Sequence, residues 1–579
     1  MKKYLSILLL TALCMGASAQ IKFEPNPAMP MPENVFMYYN VSAAADYDGR
    51  FPYMAPSWLI YPDGAVTREE AEALVDQMGL NDTLKDYVGM MVVVLGPVGG
   101  NDYDTKADFS FYETLMNKIR VFTNLKVVGI GKGATFVNQA IAPVASEVAD
   151  ILCIDGKPAK KTEGESTVPA YLAGKQAAKA AKAYIARDKA VLKENGKTLK
   201  VYENPEEPLL KVVVNTGTGG IKEIVKDAWD RLLSCNYRVS NLGHTSYMGA
   251  ALGQYGDYEL EPFLMWDRMG TVREKVEKSL FSYNSHQDNY LWYEYRPQAM
   301  KDAAPGTIPL VLLLHGHNND PRTQAETSGF VELGADEGFM VAELEWQGRP
   351  GYDYMGDHGI EAVVQYLLKT YPQLDASRVY AEGLSAGGFS ATALGVSKSH
   401  LFAAVGAHSG GLFVEGFNLG FPFMNPSALK AEAAQKAGKV RMPFFSICGT
   451  VDDAVPFVNP SISNGSMIDD SWRLYQKLNG LEVSGPTDLE KYPVFGLPLE
   501  NRHRIETVKH HAMEVGDILD RSGLPVIRIV AVENFGHWNF VPGAREMWDF
   551  FKQWRRDPVT GESIYGQDIY IDAAGLSKN

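Results

Sequence analysis

Residues 379–390, VYAEGLSAGGFS, place a serine at the centre of a Gly-x-Ser-x-Gly motif directly after a short apolar strand. The predicted strand is Val379–Ala381, and the small residues after Ser385 favour the start of a helix. A serine in such a strand–turn–helix has a strained backbone and projects its Oγ beyond the sheet. The glycines at 383 and 387 remove Cβ atoms that would collide with the neighbouring strand and helix. The motif therefore predicts a nucleophile elbow, with Ser385 as the candidate nucleophile.

A serine nucleophile needs a base to take its proton and a carboxylate to orient that base. Residues 447–456, ICGTVDDAVP, end a predicted strand in Gly-Thr and continue into a loop with two aspartates. We favour Asp452 as the acid because Gly-Thr-x-Asp-x-x-Val-Pro is the familiar form of this loop; Asp453 is the alternative. His537 follows the last predicted strand and is the candidate base. Its alternative role is that of a buried structural histidine.

Two main-chain N–H groups are predicted to stabilise the negative charge of a tetrahedral intermediate. Ala386 follows the nucleophile at the start of a helix, whose dipole adds to the effect. The second donor is predicted in the His-Gly-His loop after the strand at 312–314, and it is the N–H of His317. Trp346 and Trp538 are candidate substrate contacts, although aromatic side chains at such positions more often pack in the core or at its rim.

At the level of these motifs, the second half of the chain, about residues 286–557, resembles the polyhydroxybutyrate depolymerase and feruloyl/acetylxylan esterase group of α/β-hydrolases. The resemblance rests on the segments 374–388, 314–316, 449–452 and 536–537. It implies a serine esterase that needs no metal and no organic cofactor. The sequence departs from the group at His317, where Cys or Gly is common, and in a long insert at 459–502.

A chain of 579 residues is too long for one ordinary core, so two domains are predicted. Strands alternate with helices in both halves, which predicts two tandem doubly wound α/β-hydrolase-like domains with mostly parallel sheets. The predicted organisation is a signal peptide at 1–19, an extended lead-in at 20–34, a degenerate domain at 35–265, a charged connector helix and turn at 266–285, and a catalytic domain at 286–579 with an irregular insert at 459–502.

The predicted elements are mostly short apolar strands. Those of the first half are 88–95, 125–130, 151–154, 211–215 and 237–240, with an Ala/Lys-rich helical run at 172–194. Those of the second half are 289–295, 309–314, 339–345, 379–382, 403–407, 443–448 and 526–532, with a C-terminal helix at 544–555.

The N-terminus and the charge of the chain indicate an exported protein that does not bind nucleic acid. Lys2 and Lys3, the apolar run 5–13 and the small residues 17–19 are typical of a signal peptide. The formal net charge of −15 opposes binding to phosphate backbones. No later segment reaches about 18 continuous apolar residues, so no membrane span is predicted. The predicted location is periplasmic or extracellular.

The first half repeats the order of the second with the nucleophile missing. Its strand at 125–130 ends in Gly-x-Gly-x-Gly, with Gly131 where the serine belongs. We expect the strand 211–215 to match the acid strand, which sets Gly220 in the place of the aspartate. The following strand then sets His244 in the place of the histidine, and residues 95–97 stand for the oxyanion loop. This half is predicted to be non-catalytic.

Two alternatives remain for the first half. One is a different α/β fold. The other is a phosphate-binding loop, because a strand, a Gly-rich turn and a helix are the right context for one. No acidic residue follows at the ribose position, since Asp150 and Asp155 lie on another strand.

The cysteines indicate neither a disulfide framework nor a zinc site. After removal of the leader the chain keeps Cys153, Cys235 and Cys448, an odd and sparse set. Buried thiols are predicted, and a Cys153–Cys235 bridge is the alternative. No Cys/His spacing resembles a zinc site, so no metal is expected.

The sequence thus predicts an exported serine carboxylic-ester hydrolase. Acylated polysaccharides with feruloyl or acetyl groups are the expected substrates, and polyesters are the second option. The alternatives are a serine peptidase similar to prolyl oligopeptidase, which would be expected to carry a β-propeller ahead of the hydrolase domain, and a non-catalytic glycan-binding pseudo-hydrolase. The oligomeric state is not predicted.

Overall fold

The chain divides into two compact units, which are treated separately below. One comprises residues 1–246 and 261–267, and the other 247–260 and 268–579. The computed structural model describes residues 35–39, 57–83, 91–119, 125–144, 148–159, 167–206, 210–234, 236, 276–285, 288–317, 319, 321–348, 352–452, 454–457, 467–507 and 511–566. The predicted signal peptide, the lead-in, and the predicted strand 237–240 with His244 lie outside these residues.

The first unit contains nine strands in the described residues. They are β1 (Val35–Tyr39), β2 (Ser57–Tyr61), β3 (Met91–Leu95), β4 (Leu125–Ile130), β5 (Asp150–Ile154), β6 (Ala170–Ala173), β7 (Val191–Asn195), β8 (Leu199–Glu203) and β9 (Lys211–Asn215). The helices are α1 (Arg68–Met78), α2 (Leu80–Thr83), α3 (Ala107–Ile119), α4 (Lys132–Phe136), α5 (Ala177–Arg187) and α6 (Ile221–Ala228), with π-helical turns at Val137–Ile141 and Trp229–Leu233.

These strands form one sheet in the order β1-β3-β2-β4-β5-β6-β9-β8-β7. The strands from β3 to β9 in this order are parallel, while β1 at one edge and the hairpin β7–β8 at the other are antiparallel. Separate apolar clusters cover the two faces. One includes Tyr112 and Tyr184 of α3 and α5, and the other includes Val75 and Val225 of α1 and α6. Helices on both faces explain why the central strands are continuously apolar.

The second unit has a larger set of elements. Its strands are β10 (Val276–Ser285), β11 (Asp288–Pro297), β12 (Ile308–Leu314), β13 (Met340–Leu344), β14 (Leu374–Leu384), β15 (Ala404–His408), β16 (Phe444–Gly449), β17 (Glu500–Ile505), β18 (Met513–Leu519), β19 (Pro525–Val532), β20 (Trp554–Arg556) and β21 (Ser563–Tyr565). Its α-helices are α7 (Pro321–Thr327), α8 (Phe330–Glu337), α9 (Gly356–Thr370), α10 (Ala386–Ser397), α11 (Pro426–Lys436), α12 (Met467–Leu478) and α13 (Val541–Phe551), and 3-10 turns cover Gln298–Asp302 and Pro422–Met424.

The main sheet of this unit runs β10-β11-β13-β12-β14-β15-β16-β19-β18-β17. The strands from β13 to β19 in this order are parallel, and two antiparallel strands border them at each edge. One face packs against α9, α10 and α12 in a single large core. On the other face the Tyr380 ring stacks on Phe551 of α13 at 5.2 Å between ring centroids. Among the described residues, no helix combines the length and the apolar character needed to cross a bilayer.

The two sheets share one topology. If β1 is set against β11, every following strand of the first unit meets a strand of the second with the same position and direction, through to β7 against β17. The prediction of tandem α/β-hydrolase-like domains is confirmed. The predicted equivalence of the elbow strand β4 with β14 holds, but those of the acid strand and of the oxyanion strand are wrong. Lys211–Asn215 holds the position of the histidine strand β19, the acid-strand position belongs to β6, and the oxyanion-strand position belongs to β2.

The wrong equivalences have a simple origin in the sequence. The strand β2 was not predicted, and β6 was also missed because its last two residues, Leu172 and Ala173, were included in the predicted helical run at 172–194. The helix itself spans only Ala177–Arg187. Without β2 the oxyanion position was assigned to β3, and without β6 the acid position was assigned to β9.

Two further sequence predictions are corrected. The connector was predicted as a charged helix, but Val276–Ser285 is a strand that pairs antiparallel with β11. The insert at 459–502 was predicted to be irregular, but it contains α12, whose Trp472 and Tyr475 are fully buried in the core. Periodicity in a short amphipathic segment is ambiguous, so tertiary pairing decided both cases.

Burial of one carboxyl group makes the stability of the second unit depend on pH. Glu382 of β14 is only 3% exposed, and burial raises its pKa to about 8. The folded state therefore favours the protonated form. The stabilisation that the protonated Glu382 gives the folded state is fully present below the ordinary glutamate pKa. It is lost as the pH rises through about 8. We expect Glu382→Gln to flatten the pH dependence of unfolding between pH 5 and 8.

The measurement is urea unfolding of both proteins at several pH values in that range. One fully linked proton corresponds to about 1.4 kcal/mol per pH unit. Glu500→Gln, at an exposed strand position, is the matched control and should leave the wild-type slope unchanged. Equal slopes for Glu382→Gln and wild type would contradict the prediction.

Candidate active site

Ser385 lies in a sharp turn between β14 and α10. Its backbone has φ +53° and ψ −121°, a conformation that non-glycine residues rarely adopt. The two flanking positions have no room for a side chain. A Cβ at Gly387 would lie 1.8 Å from the carbonyl oxygen of Leu314, and one at Gly383 would lie 2.3 Å from the carbonyl carbon of Gly387. The turn therefore packs its backbone directly against the end of β12 and leaves Ser385 partly exposed.

The loops after β16 and β19 bring an aspartate and a histidine into contact. His537 Nδ1 lies 2.9 Å from Asp452 Oδ2 and 3.1 Å from Oδ1. Main-chain N–H groups also donate to the carboxylate, from Ala454 at 3.1 Å and Val455 at 2.8 Å, both to Oδ1. The Asp452 side chain is fully buried, whereas that of His537 is 17% exposed. A buried, hydrogen-bonded carboxylate of this kind fixes the orientation of an imidazole ring.

The acid loop and the histidine loop also pack against each other through their backbones. A Cβ at Gly449 would lie 1.9 Å from the carbonyl oxygen of Phe535. The N–H of Asn534 donates to Thr450 Oγ1 at 2.9 Å. Since β14, β15, β16 and β19 are adjacent parallel strands, the three predicted triad residues follow strands that end at the same edge of the sheet.

The loop after β12 is held beside the elbow by buried polar groups. The indole of Trp346 donates to the carbonyl oxygen of His315 at 2.9 Å, and Gln347 Nε2 donates to that of Gly316 at 2.9 Å. His315 Nε2 lies 3.3 Å from Glu345 Oε1. A Cβ at Gly316 would lie 3.5 Å from the carbonyl oxygen of Leu384, the residue before the serine.

Both predicted oxyanion donors thus lie on segments that flank the elbow. His317 follows Gly316 directly and is half-buried. The N–H of Ala386 belongs to the first residue of α10, and the first N–H groups of a helix have no intrahelical acceptor.

The two tryptophans predicted to contact substrate are buried. Trp346 has no exposed surface and supports the His315 carbonyl, while Trp538 is 4% exposed. Neither offers an open ring face. Sequence reasoning did not single out Tyr354, which is 39% exposed and stacks on Phe421 at 5.6 Å between centroids; the Phe421 ring in turn lies 4.8 Å from that of Trp346. Tyr354 and Phe421 are 67 positions apart in the chain, so no local pattern indicates the pair.

The first unit has the same elbow without a nucleophile. Gly131 has φ +54° and ψ −109°, close to the values at Ser385. A Cβ at Gly133 would lie 2.0 Å from the carbonyl oxygen of Tyr61 at the end of β2, as one at Gly387 would collide with Leu314. The equivalence of Gly131 and Ser385 therefore follows from backbone geometry as well as from sheet position.

The carboxylate of Asp63 lies beside the glycine elbow of the first unit. Asp63 Oδ1 accepts the N–H of Lys132 at 2.7 Å, and Lys132 occupies the position of Ala386. The same oxygen would lie 2.2 Å from a Cβ at Gly131. A phosphate at this turn would meet a negative charge, which disfavours the phosphate-loop alternative. Gly220 lies in the loop after β9, directly before α6. Since β9 aligns with the histidine strand β19, Gly220 takes the position of the histidine loop and not of the acid loop.

The described residues hold no group of three or more His, Cys, Asp or Glu side chains arranged to bind a metal ion. Cys153 and Cys448 are free and buried. Cys235, the alternative bridge partner of Cys153, lies outside the described residues.

The sheet order and the strand–turn–helix that carries Ser385 are those of an α/β-hydrolase fold in the second unit, and the first unit has the same strand order with a glycine at the elbow. Residues 333–463 match the prolyl oligopeptidase family. This match spans β13 to the acid loop and includes the elbow.

Two curated proteins and a solved structure are similar to parts of the chain. Poly(3-hydroxyalkanoate) depolymerase C of Paucimonas lemoignei is 27% identical over 168 residues, 26% of this chain and 39% of that protein. A bifunctional acetylxylan esterase/xylanase of Neocallimastix patriciarum is 28% identical over 165 residues, 28% of this chain and 21% of that protein. This chain therefore spans well under half the length of either relative. An acetyl xylan esterase from Aspergillus awamori aligns with 15% identity and a TM-score of 0.33, over 47% of this chain and 98% of that one.

Proposed function

We propose that the second unit is a serine hydrolase that cleaves carboxylic esters with Ser385, His537 and Asp452. The observation that carries the proposal is the buried Asp452 carboxylate 2.9 Å from His537 Nδ1, at the sheet edge where the strained Ser385 turn begins. A histidine oriented in this way leaves its Nε2 available as the base for a serine hydroxyl.

The proposed reaction proceeds in two halves. His537 Nε2 takes the proton of Ser385 as the Oγ attacks the ester carbonyl, and the N–H groups of Ala386 and His317 bind the resulting oxyanion. His537 then protonates the leaving alcohol, and the C–O bond breaks to give an acyl-enzyme. Water, deprotonated by the same histidine, attacks the acyl group and releases the acid with restoration of Ser385. Asp452 holds the imidazole in one tautomer and stabilises the imidazolium.

The proposed substrates are acylated polysaccharides, with polyesters as the second option. The names of the two relatives, a polyester depolymerase and an acetylxylan esterase, support this range. The exposed Tyr354, stacked on Phe421, offers a flat apolar surface of the kind that binds sugar rings or aromatic acyl groups. We further propose that the predicted leader directs export.

A peptidase is the second candidate, because the matched family is named for an oligopeptidase. A panel of acetylated xylan, methyl ferulate, a short polyester and peptidyl p-nitroanilides separates the candidates. The proposal expects turnover of at least one oxygen ester and none of the anilides. Release of p-nitroaniline without ester turnover would favour the peptidase and contradict the esterase.

We propose that the first unit is non-catalytic and that a serine at its elbow does not restore activity. In a Ser385→Ala background, Gly131→Ser should gain no labelling by a fluorophosphonate probe, because residues 216–220, which follow β9 in the place of the histidine loop, contain no histidine that could activate the new serine. It should also lower the Tm, since a side chain at φ +54° is strained and its Cβ approaches the Asp63 carboxylate to 2.2 Å.

The double variant with Asp63→Ala is the matched control for this prediction. It should recover part of the Tm loss by removing the collision, but it should remain unlabelled. Labelling of either variant at residue 131 would contradict the proposed non-catalytic role.

A further inference from the structure

One residue at the end of β15 is bonded to both the elbow and the histidine loop. The main-chain oxygen of His408 accepts the N–H of Ser385 at 2.9 Å. Its side-chain Nε2 accepts the N–H of Phe540, three residues after His537, at 2.8 Å. His408 is 3% exposed, so both bonds are shielded from water. A single buried residue therefore connects the backbone of the nucleophile to that of the base.

The protonation of this ring follows from its partners. Because Nε2 accepts a main-chain N–H, the ring proton lies on Nδ1, which faces Ser409 Oγ at 3.3 Å. Burial, opposed by the nearby Asp452 and assisted by His537, lowers the pKa of His408 to about 3. The ring remains neutral above that pH, so the acceptor for Phe540 is present throughout the range in which His537 can act as a base.

The same ring begins a buried chain of donors that ends on the acid. Ser409 Oγ lies 3.9 Å from Cys448 Sγ, and Cys448 Sγ lies 3.4 Å from Asp452 Oδ2. These sulfur contacts are within the range of weak thiol hydrogen bonds. Oδ2 is also the carboxylate oxygen nearer to His537. With the His408 proton on Nδ1, each group of the chain can donate to the next, and the thiol donates to the carboxylate.

The first unit supplies an internal comparison. The main-chain oxygen of Ile154, at the end of β5, accepts the N–H of Gly131 at 2.9 Å. The next residue, Asp155, has φ +56°, as Ser409 has φ +47°. Ile154 therefore holds the place of His408, but its side chain has no acceptor. The main-chain hydrogen bond to the elbow therefore occurs in both units. The side-chain hydrogen bond from Phe540 to His408 occurs in the second unit, which contains the proposed nucleophile.

We propose that His408 is a positioning residue for the hydrolytic reaction, which holds the loop of His537 against the elbow and, through Ser409 and Cys448, supports the Asp452 carboxylate. This proposal rests on the function proposed above for Ser385, His537 and Asp452.

The test compares two substitutions of His408. His408→Leu removes the acceptor, and His408→Gln returns an amide oxygen that can accept the Phe540 N–H. We expect His408→Leu to lower kcat for p-nitrophenyl acetate by about ten- to a hundredfold, the scale of a small misplacement of reacting groups, with KM changed less than about threefold. His408→Gln should recover at least half of that loss on a logarithmic scale.

A second readout separates positioning from stability and from failure of the proposed function. The pKa of His537, followed by NMR of ring-labelled histidine, should fall in His408→Leu because its contact with Asp452 loosens, and this does not require turnover. Val405→Ala, at a fully buried position of the same strand, controls for lost packing and should leave kcat and the His537 pKa unchanged at a temperature well below its Tm.

The proposal is overturned if both His408 variants retain the wild-type kcat and His537 pKa. It is equally overturned if Val405→Ala reduces kcat as much as His408→Leu does. If the wild type cleaves no ester and binds no fluorophosphonate, the proposed function is refuted. If His408→Leu still lowers the pKa of His537 in that case, the positioning of His537 by His408 remains supported.

Discussion

Ser385→Ala is expected to abolish ester hydrolysis, with a loss in kcat of about 10,000-fold or more for p-nitrophenyl acetate. The reason is that the proposed reaction passes through an acyl group on Ser385 Oγ, and removal of a serine nucleophile leaves only the weak contribution of the oxyanion donors and binding. The fold should persist, because alanine can occupy the strained turn as serine does. Initial rates with a purified variant measure the effect, and circular dichroism verifies folding.

A fluorophosphonate probe makes this test independent of the substrate. The wild type should be labelled once, at Ser385, and the alanine variant should not be labelled. Ser390→Ala, a buried serine on α10 five residues further on, is the matched control and should keep both labelling and turnover. If Ser385→Ala retains turnover, the assignment of Ser385 as the nucleophile is wrong. A wild type that is not labelled would favour an idle, glycan-binding pseudo-hydrolase.

Asp452→Asn is expected to lower kcat by about 1,000- to 10,000-fold while KM changes little. An amide in this position no longer attracts the imidazolium and presents an N–H toward His537 Nδ1, which favours the wrong tautomer. The main-chain bonds from Ala454 and Val455 can still be accepted by the amide oxygen. We therefore expect the loop to keep its conformation, so the loss is electrostatic.

Asp453→Asn decides between the two aspartates that the sequence leaves as candidates. It carries the same change of charge one position further along the chain. It should keep kcat within about threefold of the wild type. The reverse result, a large loss at Asp453 and a small one at Asp452, would move the acid by one residue and contradict the proposed triad.

Most of the residues of the candidate site were predicted from local sequence motifs. The turn at Ser385 and the Gly-Thr loop before Asp452 are short segments in which glycines and turn residues fix the backbone. Their spacing was enough to predict the elbow geometry and a decayed counterpart at Gly131. The catalytic roles of these residues stay predictions until the substitutions above are measured.

The failures lie where distant strands decide the structure. The short strands β2 and β6 carry no distinctive pattern, and their places depend on neighbours far along the chain. The indole bond from Trp346 to His315 and the stack of Tyr354 on Phe421 join segments that periodicity cannot relate. For the same reason no sequence pattern indicated that His408 reaches Phe540.

The matching backbone of the two elbows has a consequence for the stability of each unit. The first unit keeps φ +54° at Gly131 although nothing there requires a reactive side chain. The turn is thus imposed by the close approach of strand and helix, and a serine in it carries strain of about 1–3 kcal/mol that a glycine avoids. The first unit, with glycine at this position, avoids that strain, whereas the second unit carries it at Ser385. Under the proposed function, the need for a reactive hydroxyl at residue 385 explains why the second unit has a strained serine where glycine would be more stable.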